Sequence, residues 1–417
     1  MPGEAGRVPT LPADNGGPAT EAGPAVGLTT EPGGAPASRT GAPGWQAAFL
    51  FLGIAAVLFV VAGLSVAHFA HTGTDMLRDP FPGRPWLEAW VHWDGGWYGE
   101  IAERGYWAYS PGQQGPVAFF PAYPVLMWLG GMVVGSPLLA GILLTLAAGA
   151  VAAGLFHTWL RARVSPAAAW TALLLFLLYP FAFYLYGVVY ADAVFIAAAI
   201  GAFLLVERGH PWLAGLVGAI ATAARPVGFV LVISLLIRVV ELRGGRLRGW
   251  RNVPWRDLGV LLSGLGIGAF CLYCWGRFGN PLAFVEAQKG WDQTPGPATW
   301  LKLQFWEDVR DFRSPLAWLV FVSHPILTLT ALALVPTVVR RYGWGYGSFA
   351  LLGLGISAMS TKNFFGMSRY VLSAFPCFAA AGELLAPRAR LRVVTLASSA
   401  VVLVAATSFF ARGHYLS

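Results

Sequence analysis

The sequence predicts an all-α polytopic membrane protein, and two observations carry that prediction. Of 417 residues, 56% are hydrophobic and 12% are charged, whereas a soluble globular domain carries about 25% charged residues. The mean hydropathy of +0.60 is concentrated in apolar runs of the length needed to cross about 30 Å of hydrocarbon. This composition excludes a soluble enzyme, a nucleic-acid binder and a secreted disulfide scaffold. Cys271, Cys274 and Cys377 all lie inside apolar stretches and make no disulfide framework. The redox-type spacing of Cys271 and Cys274 has no βαβ context and reads as membrane packing. The net charge of +8 rests on arginine, because only Lys289, Lys302 and Lys362 of the 28 basic residues are lysines. With the high Ala and Gly content, that bias fits a high-GC bacterial genome.

Residues 1–44 are rich in Pro, Gly, Ala, Thr and Glu, with almost no large apolar side chain. Such a segment buries too little surface to offset the entropy of ordering, so a disordered cytoplasmic tail is expected. It lacks the basic start, short apolar run and cleavage site of a signal peptide. The transmembrane unit is expected over 45–417, with apolar runs at 46–68, 117–135, 137–160, 167–186, 190–206, 211–240, 257–277, 315–339, 344–358, 370–386 and 393–410. Arginine-rich connections stay cytoplasmic, which assigns 161–163, 238–256, 340–341 and 388–392 to the inside. The connections 69–116 and 279–314, mixed in charge and rich in carboxylates, belong outside. Consistency then requires 117–135 to be a partial or re-entrant span. It also requires 211–240 to break at Arg225-Pro226, since proline removes a helical hydrogen bond. About eleven crossings result, with the amino terminus inside. The 69–116 loop, the 187–192 turn, Arg225, 279–314 and 359–369 then share one external face.

The first external loop carries the densest chemistry. Trp86, Trp90, Trp93, Trp97 and Ile101 recur at helical spacing, the pattern of an amphipathic helix lying in the membrane interface. Asp94 would flank that stripe at the lipid–water boundary, with Gly95 and Gly96 leaving the backbone open to a substrate. A carboxylate so placed suits a reaction between a lipid-borne donor and a polar acceptor; the same spacing also suits an aromatic belt beside a solvated Asp. Phe119-Phe120-Pro121-Ala122-Tyr123-Pro124 can leave and re-enter the bilayer where protein or a lipid-chain groove covers it, and it equally suits ordinary helix packing. Asp192, between two apolar runs, reads as a site residue or as a plain helix N-cap. Arg225, in the middle of an apolar stretch, needs an anion: a phosphate would meet its planar fork, and so would Asp192. Arg369, near Lys362 at the mouth of another span, is a second phosphate candidate or an interfacial anchor.

No Walker-type segment and no GxGxxG opening a helix is present. The seven histidines show no zinc spacing, and the first loop has no Asp-x-Asp pair. No cofactor is therefore expected, with divalent-metal dependence left open.

His92-Trp93-Asp94-Gly95-Gly96-Trp97-Tyr98, followed by Ile101-Ala102-Glu103-Arg104-Gly105-Tyr106, resembles the first-loop signature of bacterial PIG-V-like mannosyltransferases, relatives of the GPI mannosyltransferase that adds the second mannose. The Phe119–Pro124 segment, Tyr190-Ala191-Asp192, Ala224-Arg225-Pro226-Val227-Gly228, Arg277-Phe278-Gly279-Asn280-Pro281-Leu282-Ala283-Phe284 and Ser368-Arg369-Tyr370-Val371-Leu372 are similar to the family in the same order. The resemblance implies a GT-C-like fold of about ten to twelve transmembrane helices, each of roughly 20 apolar residues, with interfacial helices in a large first extracytoplasmic loop. It implies an enzyme of the bacterial plasma membrane, working at the extracytoplasmic face. The donor would be a polyprenyl-phosphate sugar, typically mannose, and the acceptor an envelope lipid, glycan or protein. By the resemblance Asp94 is the catalytic base. On the reading above, Arg225, Arg369 and Lys362 meet the donor phosphate, while His92, Trp93, Gly95, Gly96, Trp97, Tyr98 and Asp192 contact substrate. The chain departs from the family at Asp192, where Glu is expected, and at Asn280, where Asp is common. A β-linked donor attacked directly would give an α-linked product, by inversion. A flippase for a polyprenyl-linked sugar is the rival reading, because broken helices and a buried Arg–Asp pair are also transporter features; a GT-C enzyme using another sugar is a further one.

Overall fold

The computed structural model describes residues 44–71, 80–244, 253–291, 293, 295–311 and 314–416. All of them fall in one unit, Gly41–Ser417. The tail expected to be disordered lies outside the described residues up to Pro43, as do Arg246, Arg248 and Arg251 of the arginine-rich connection.

Among the described residues the regular structure is entirely helical, the solution expected where lipid offers the backbone no partners. From the amino end the helices are α1 (Gly44–His68), α2 (Pro85–Glu88), α3 (Asp94–Arg104), α4 (Ala122–Val134), α5 (Pro137–Arg161) and α6 (Pro166–Leu177). Then come α7 (Asp192–Glu207), α8 (Pro211–Ala224), α9 (Phe229–Leu242) and α10 (Leu265–Phe278). Short helices α11 (Ala283–Ala287), α12 (Pro297–Trp300) and α13 (Leu303–Asp311) follow. The chain closes with α14 (Pro315–Tyr342), α15 (Trp344–Ser360), α16 (Met367–Ser373), α17 (Phe375–Leu385) and α18 (Ala389–Ala411).

Three of these helices begin at a Ser-Pro pair. Ser136, Ser165 and Ser314 each accept a backbone N–H of the first turn, and Pro137, Pro166 and Pro315 occupy the first helical position. There the missing N–H of proline costs nothing. Among the described residues five elements are long and apolar enough to cross a bilayer: α1, α5, the 3₁₀ and α10 segment Trp255–Phe278, α14 and α18. Of the other apolar runs, 190–206 and 344–358 form the continuous helices α7 and α15, and the rest are broken or short. The run 211–240 breaks at Arg225-Pro226 as expected, giving α8 and α9. Only thirteen residues of 117–135 are α-helical, about 20 Å of rise and short of a full span.

Two runs depart from the sequence reading. The run 370–386 splits at Ala374, ahead of Pro376, into α16 and α17. The run 167–186 ends as α-helix at Leu177, and the chain from there to Ala191 is irregular apart from a 3₁₀ turn at Ala182–Leu185 and almost wholly buried. Protein groups satisfy that irregular backbone, as burial requires. The Tyr186 hydroxyl donates to the Leu177 carbonyl (2.9 Å), Thr145 Oγ1 to the Val188 carbonyl (3.0 Å), and the Val189 N–H to the Trp90 carbonyl (3.1 Å).

Helix α7 is the centre of the unit, with twelve of its sixteen residues buried and with α5, α8 and α9 packed around it. Helix α8 lies against the 255–278 element at glycine distance: a Cβ on Gly215 would run into the Gly259 carbonyl. Small residues permit such approach where lipid gives helices no hydrophobic reason to associate.

Candidate active site

The aromatic stripe does not form one helix. Helix α2 stops at Glu88, and α3 starts only at Asp94. Trp93 between them has φ +53°, a conformation that L-residues seldom adopt. Local spacing favours a continuous helix here, but tertiary contacts override it, because the Trp90 carbonyl is taken by the Val189 N–H at 3.1 Å. Trp90 is consequently buried in the core while Trp86 remains half exposed.

The turn at Trp93 places Asp94 in the first turn of α3. Its N–H donates to the Tyr190 hydroxyl (3.2 Å), which ties the start of α3 to the start of α7, where Asp192 lies. Both carboxylates therefore sit at helix N-termini, the end where the helix dipole favours negative charge.

Two arginines complete a row. Arg369 Nη1 is 2.9 Å from Asp94 Oδ2, and its Nε is 3.9 Å from Asp192 Oδ2. Arg225 Nη1 donates to Asp192 Oδ1. The charges alternate as Asp94, Arg369, Asp192, Arg225, and the side chains are 25%, 15%, 3% and 6% exposed in that order. Asp94 is thus the accessible end of the row and the Asp192–Arg225 pair the closed end. Tyrosine faces line both guanidiniums: Arg225 lies 4.5 Å from the Tyr370 ring centre, and Arg369 lies 4.9 Å from Tyr190 and 5.6 Å from Tyr184. Such contacts stabilise a cation out of water. Among the described residues two buried donors, Arg369 Nε and Trp93 Nε1 of the residue preceding Asp94, have no hydrogen-bond partner. Buried polar groups are rarely left so.

The remaining predicted residues fall around this row. His92 is buried, with Nε2 3.3 Å from the Ala411 carbonyl at the end of α18, so it anchors the loop to the carboxyl-terminal helix. Trp93 packs on the Tyr415 ring at 4.8 Å. Gly95 is buried, and a methyl there would lie 3.5 Å from Val189; it faces protein, as does buried Gly96. Trp97, on the same α3 face as Asp94 by its spacing, is sandwiched between Trp107 (6.2 Å) and Phe119 (5.6 Å) with Trp291 edge-on. Tyr98 is buried against Phe119 and Tyr123. Burial first, then the Asp94 charge, raises its hydroxyl above the usual range, so it stays protonated. Lys362 is partly buried in the connection from α15 to α16. Among the described residues no three His, Cys, Asp or Glu side chains gather as metal ligands.

Sequence reasoning passed over Tyr184, Tyr370 and Lys302. Lys302, in the second loop, has φ +57° and is buried; its ammonium donates to the Ala358 and Thr361 carbonyls above the Phe364 ring (4.8 Å). It thereby clamps the connection that delivers α16 and Arg369. Burial pushes this amine down to about 8. The available signal was the scarcity of lysine: a compact ammonium survives here in a chain that otherwise uses arginine.

No family model and no curated protein matches the sequence. Among solved structures the chain is similar to ArnT from Cupriavidus metallidurans bound to undecaprenyl phosphate. The TM-score is 0.51 at 14% identity, over 90% of this chain and 78% of that one. It is also similar to the archaeal oligosaccharyltransferase AglB from Archaeoglobus fulgidus, in complex with an inhibitory peptide and a dolichol-phosphate, with TM-score 0.44 and 13% identity over 88% of this chain. The chain spans about half the length of that oligosaccharyltransferase, 55%. The fold is that of an all-α polytopic membrane protein, shared with ArnT.

Proposed function

We propose that the protein is an integral membrane glycosyltransferase that moves a mannosyl residue from a polyprenyl-phosphate donor to an acceptor hydroxyl at the extracytoplasmic face. The contact between Asp94 and Arg369 carries this reading. A carboxylate that can take a proton stands beside a guanidinium that can hold a phosphate, at the open end of an otherwise buried charge row. The shared fold with ArnT, solved with undecaprenyl phosphate bound, supports a lipid-phosphate donor, and the first-loop resemblance supports mannose.

In the reaction the acceptor oxygen bonds to the anomeric carbon while the bond from that carbon to the phosphate oxygen breaks. The electron pair leaves with the polyprenyl phosphate, and the hydroxyl proton passes to Asp94. One oxygen of Asp94 is engaged by Arg369, which leaves Oδ1 to receive the proton. General-base help of this kind is worth roughly 10²–10⁴-fold. Arg369, whose Nε makes no hydrogen bond among the described residues, and the indole N–H of Trp93 are the donors that would meet the phosphate. Arg225, already paired with Asp192, contributes by holding that carboxylate against Arg369. Attack opposite the leaving phosphate inverts the anomeric centre.

The test uses membranes containing the wild type or Asp94→Asn, supplied with radiolabelled polyprenyl-phosphate mannose and a cell-envelope extract. Transfer by the wild type and none by an equally abundant variant is the expected result. Equal transfer by both removes Asp94 from the mechanism. Label that crosses the bilayer without transfer, in both, favours the flippase reading.

A further inference from the structure

At the end of α7 remote from Asp192, about 24 Å away along its sixteen residues, the helices frame a second site that opens to the surface. The carboxyl-terminal ends of α5, α7, α9 and α14 meet around a cavity of about 490 Å³ whose wall includes Arg163, Glu207, Arg208, Arg238, Arg341 and Tyr342. Helix C-termini attract cations, and arginines favour the cytoplasmic ends of spans, so basic residues here need no ligand to explain them. The open volume does. It is a concavity open to the surface, and its volume falls within the range of small-molecule sites, about 300 to 1,000 Å³.

Among the described residues Glu207 is the only carboxylate in the wall, and it is fully engaged. Arg163 donates to it, Arg238 donates through Nη2 (2.7 Å) and Nε (3.1 Å), and the Tyr346 hydroxyl adds a bond at 2.8 Å. From behind, Glu241 reaches Arg238 at 3.2 Å and Glu383 reaches Arg341 at 3.3 Å. Four guanidiniums thus face three carboxylates, and Arg208, exposed at the rim, pairs with none among the described residues. Arg341 is also open, its side chain 66% exposed. A stack of Arg163 on Trp159, 4.5 Å from the ring centre, holds the floor in place.

We infer that this cavity binds a phosphate-bearing anion, with Arg208 and Arg341 as its donor rim. The planar guanidinium fork matches phosphate oxygens, and a basic pocket between transmembrane helices at the membrane surface suits a lipid headgroup. A phosphodiester with its glycerol fills a volume that a bare phosphate would leave mostly to water. The inference does not depend on the chemistry proposed at Asp94.

The test compares the full-length wild type with Arg208→Gln/Arg341→Gln in detergent by native mass spectrometry, after exposure to phosphatidylglycerol or phosphatidylcholine. Retention of phosphatidylglycerol over phosphatidylcholine, falling roughly thirty-fold in the double variant, is expected from the loss of two basic side chains at an anionic surface. Arg208→Lys/Arg341→Lys keeps the charge and the membrane orientation while removing the fork; an intermediate loss is expected and serves if the glutamine pair fails to accumulate. A parallel arm measures thermal unfolding in inorganic phosphate against chloride at equal ionic strength. An arginine-dependent shift there, without lipid preference, supports the site and assigns it to free phosphate. Lipid retention and phosphate response that are both indifferent to the two arginines overturn it.

Discussion

Arg369 and Asp94 are 275 positions apart in the chain, yet Arg369 Nη1 lies 2.9 Å from Asp94 Oδ2. The same guanidinium reaches toward Asp192, so one cation on α16 joins the first turn of α3 to the first turn of α7. A donor phosphate that recruits this guanidinium must compete with two carboxylates for it.

That competition predicts different outcomes for two substitutions of Arg369. Arg369→Lys keeps the charge but has no fork to span both carboxylates and a phosphate. Its donor KM is expected to rise about tenfold or more, the loss of a charge-assisted hydrogen bond of roughly 1.5–3 kcal/mol. Arg369→Gln should lose transfer altogether and fold less stably, since it leaves Asp94 and Asp192 side by side. Initial rates against donor concentration, with thermal unfolding of each variant, separate the two.

The Asp192–Arg225 pair is nearly closed to solvent, and removing one partner strands the other. Arg225→Ala is expected to cost about 3–5 kcal/mol, while removing both charges together costs much less. Unfolding midpoints for Arg225→Ala, Asp192→Asn and the double variant give the coupling directly. An additive cycle would show that the pair does not hold the site together.

Lys302 gives a pH signature. Its folded value near 8 lies below the ordinary 10.5, so between those values the unfolded chain binds more protons than the folded one. Stability from this group therefore rises with pH across about 8 to 10.5. The wild type should gain on Lys302→Met over that window, and the difference should be flat below it. Unfolding midpoints of the two proteins against pH provide the comparison.

The connection preceding α4 and the one following α10 meet at Gly290, where a Cβ would fall on the backbone of Gln113 and Gln114. Gly290→Ala is expected to cost about 1–3 kcal/mol as an overpacked contact and to separate Trp291 from Trp97. Faster limited proteolysis within 105–115 or 288–300 would register it; unchanged cleavage would show that the loops hold together without this approach.

Trp93→Phe keeps an aromatic ring at Tyr415 and deletes the indole N–H along with the rest of the five-membered ring, so its unfolding midpoint is measured beside the kinetics to separate lost packing from the lost donor. A donor KM raised several-fold with kcat preserved would assign that N–H to the phosphate, and unchanged kinetics would assign Trp93 to packing.

Much of this protein is decided by short-range chemistry that a sequence displays. Apolar runs declare the membrane, Ser-Pro pairs start α5, α6 and α14, and Pro226 breaks the run that bears Arg225. Each depends on a few consecutive residues and on the backbone rules they obey. The residues of the row were also individually visible, as charges where charge is expensive. Their partners were less so: Arg225 had a phosphate and Asp192 as candidates, of which the structure shows Asp192, and nothing local joins residue 94 to residue 369. The tertiary structure alone broke the tryptophan stripe at Trp93, because a hydrogen bond from Val189 captures the Trp90 carbonyl and overrides a helical period. It alone buried Lys302 against two carbonyls, and opened an arginine-rimmed cavity at the far end of α7. Helical periods and proline act within a turn or two of chain, whereas ion pairing, burial and cavities arise only when distant segments compete for the same space.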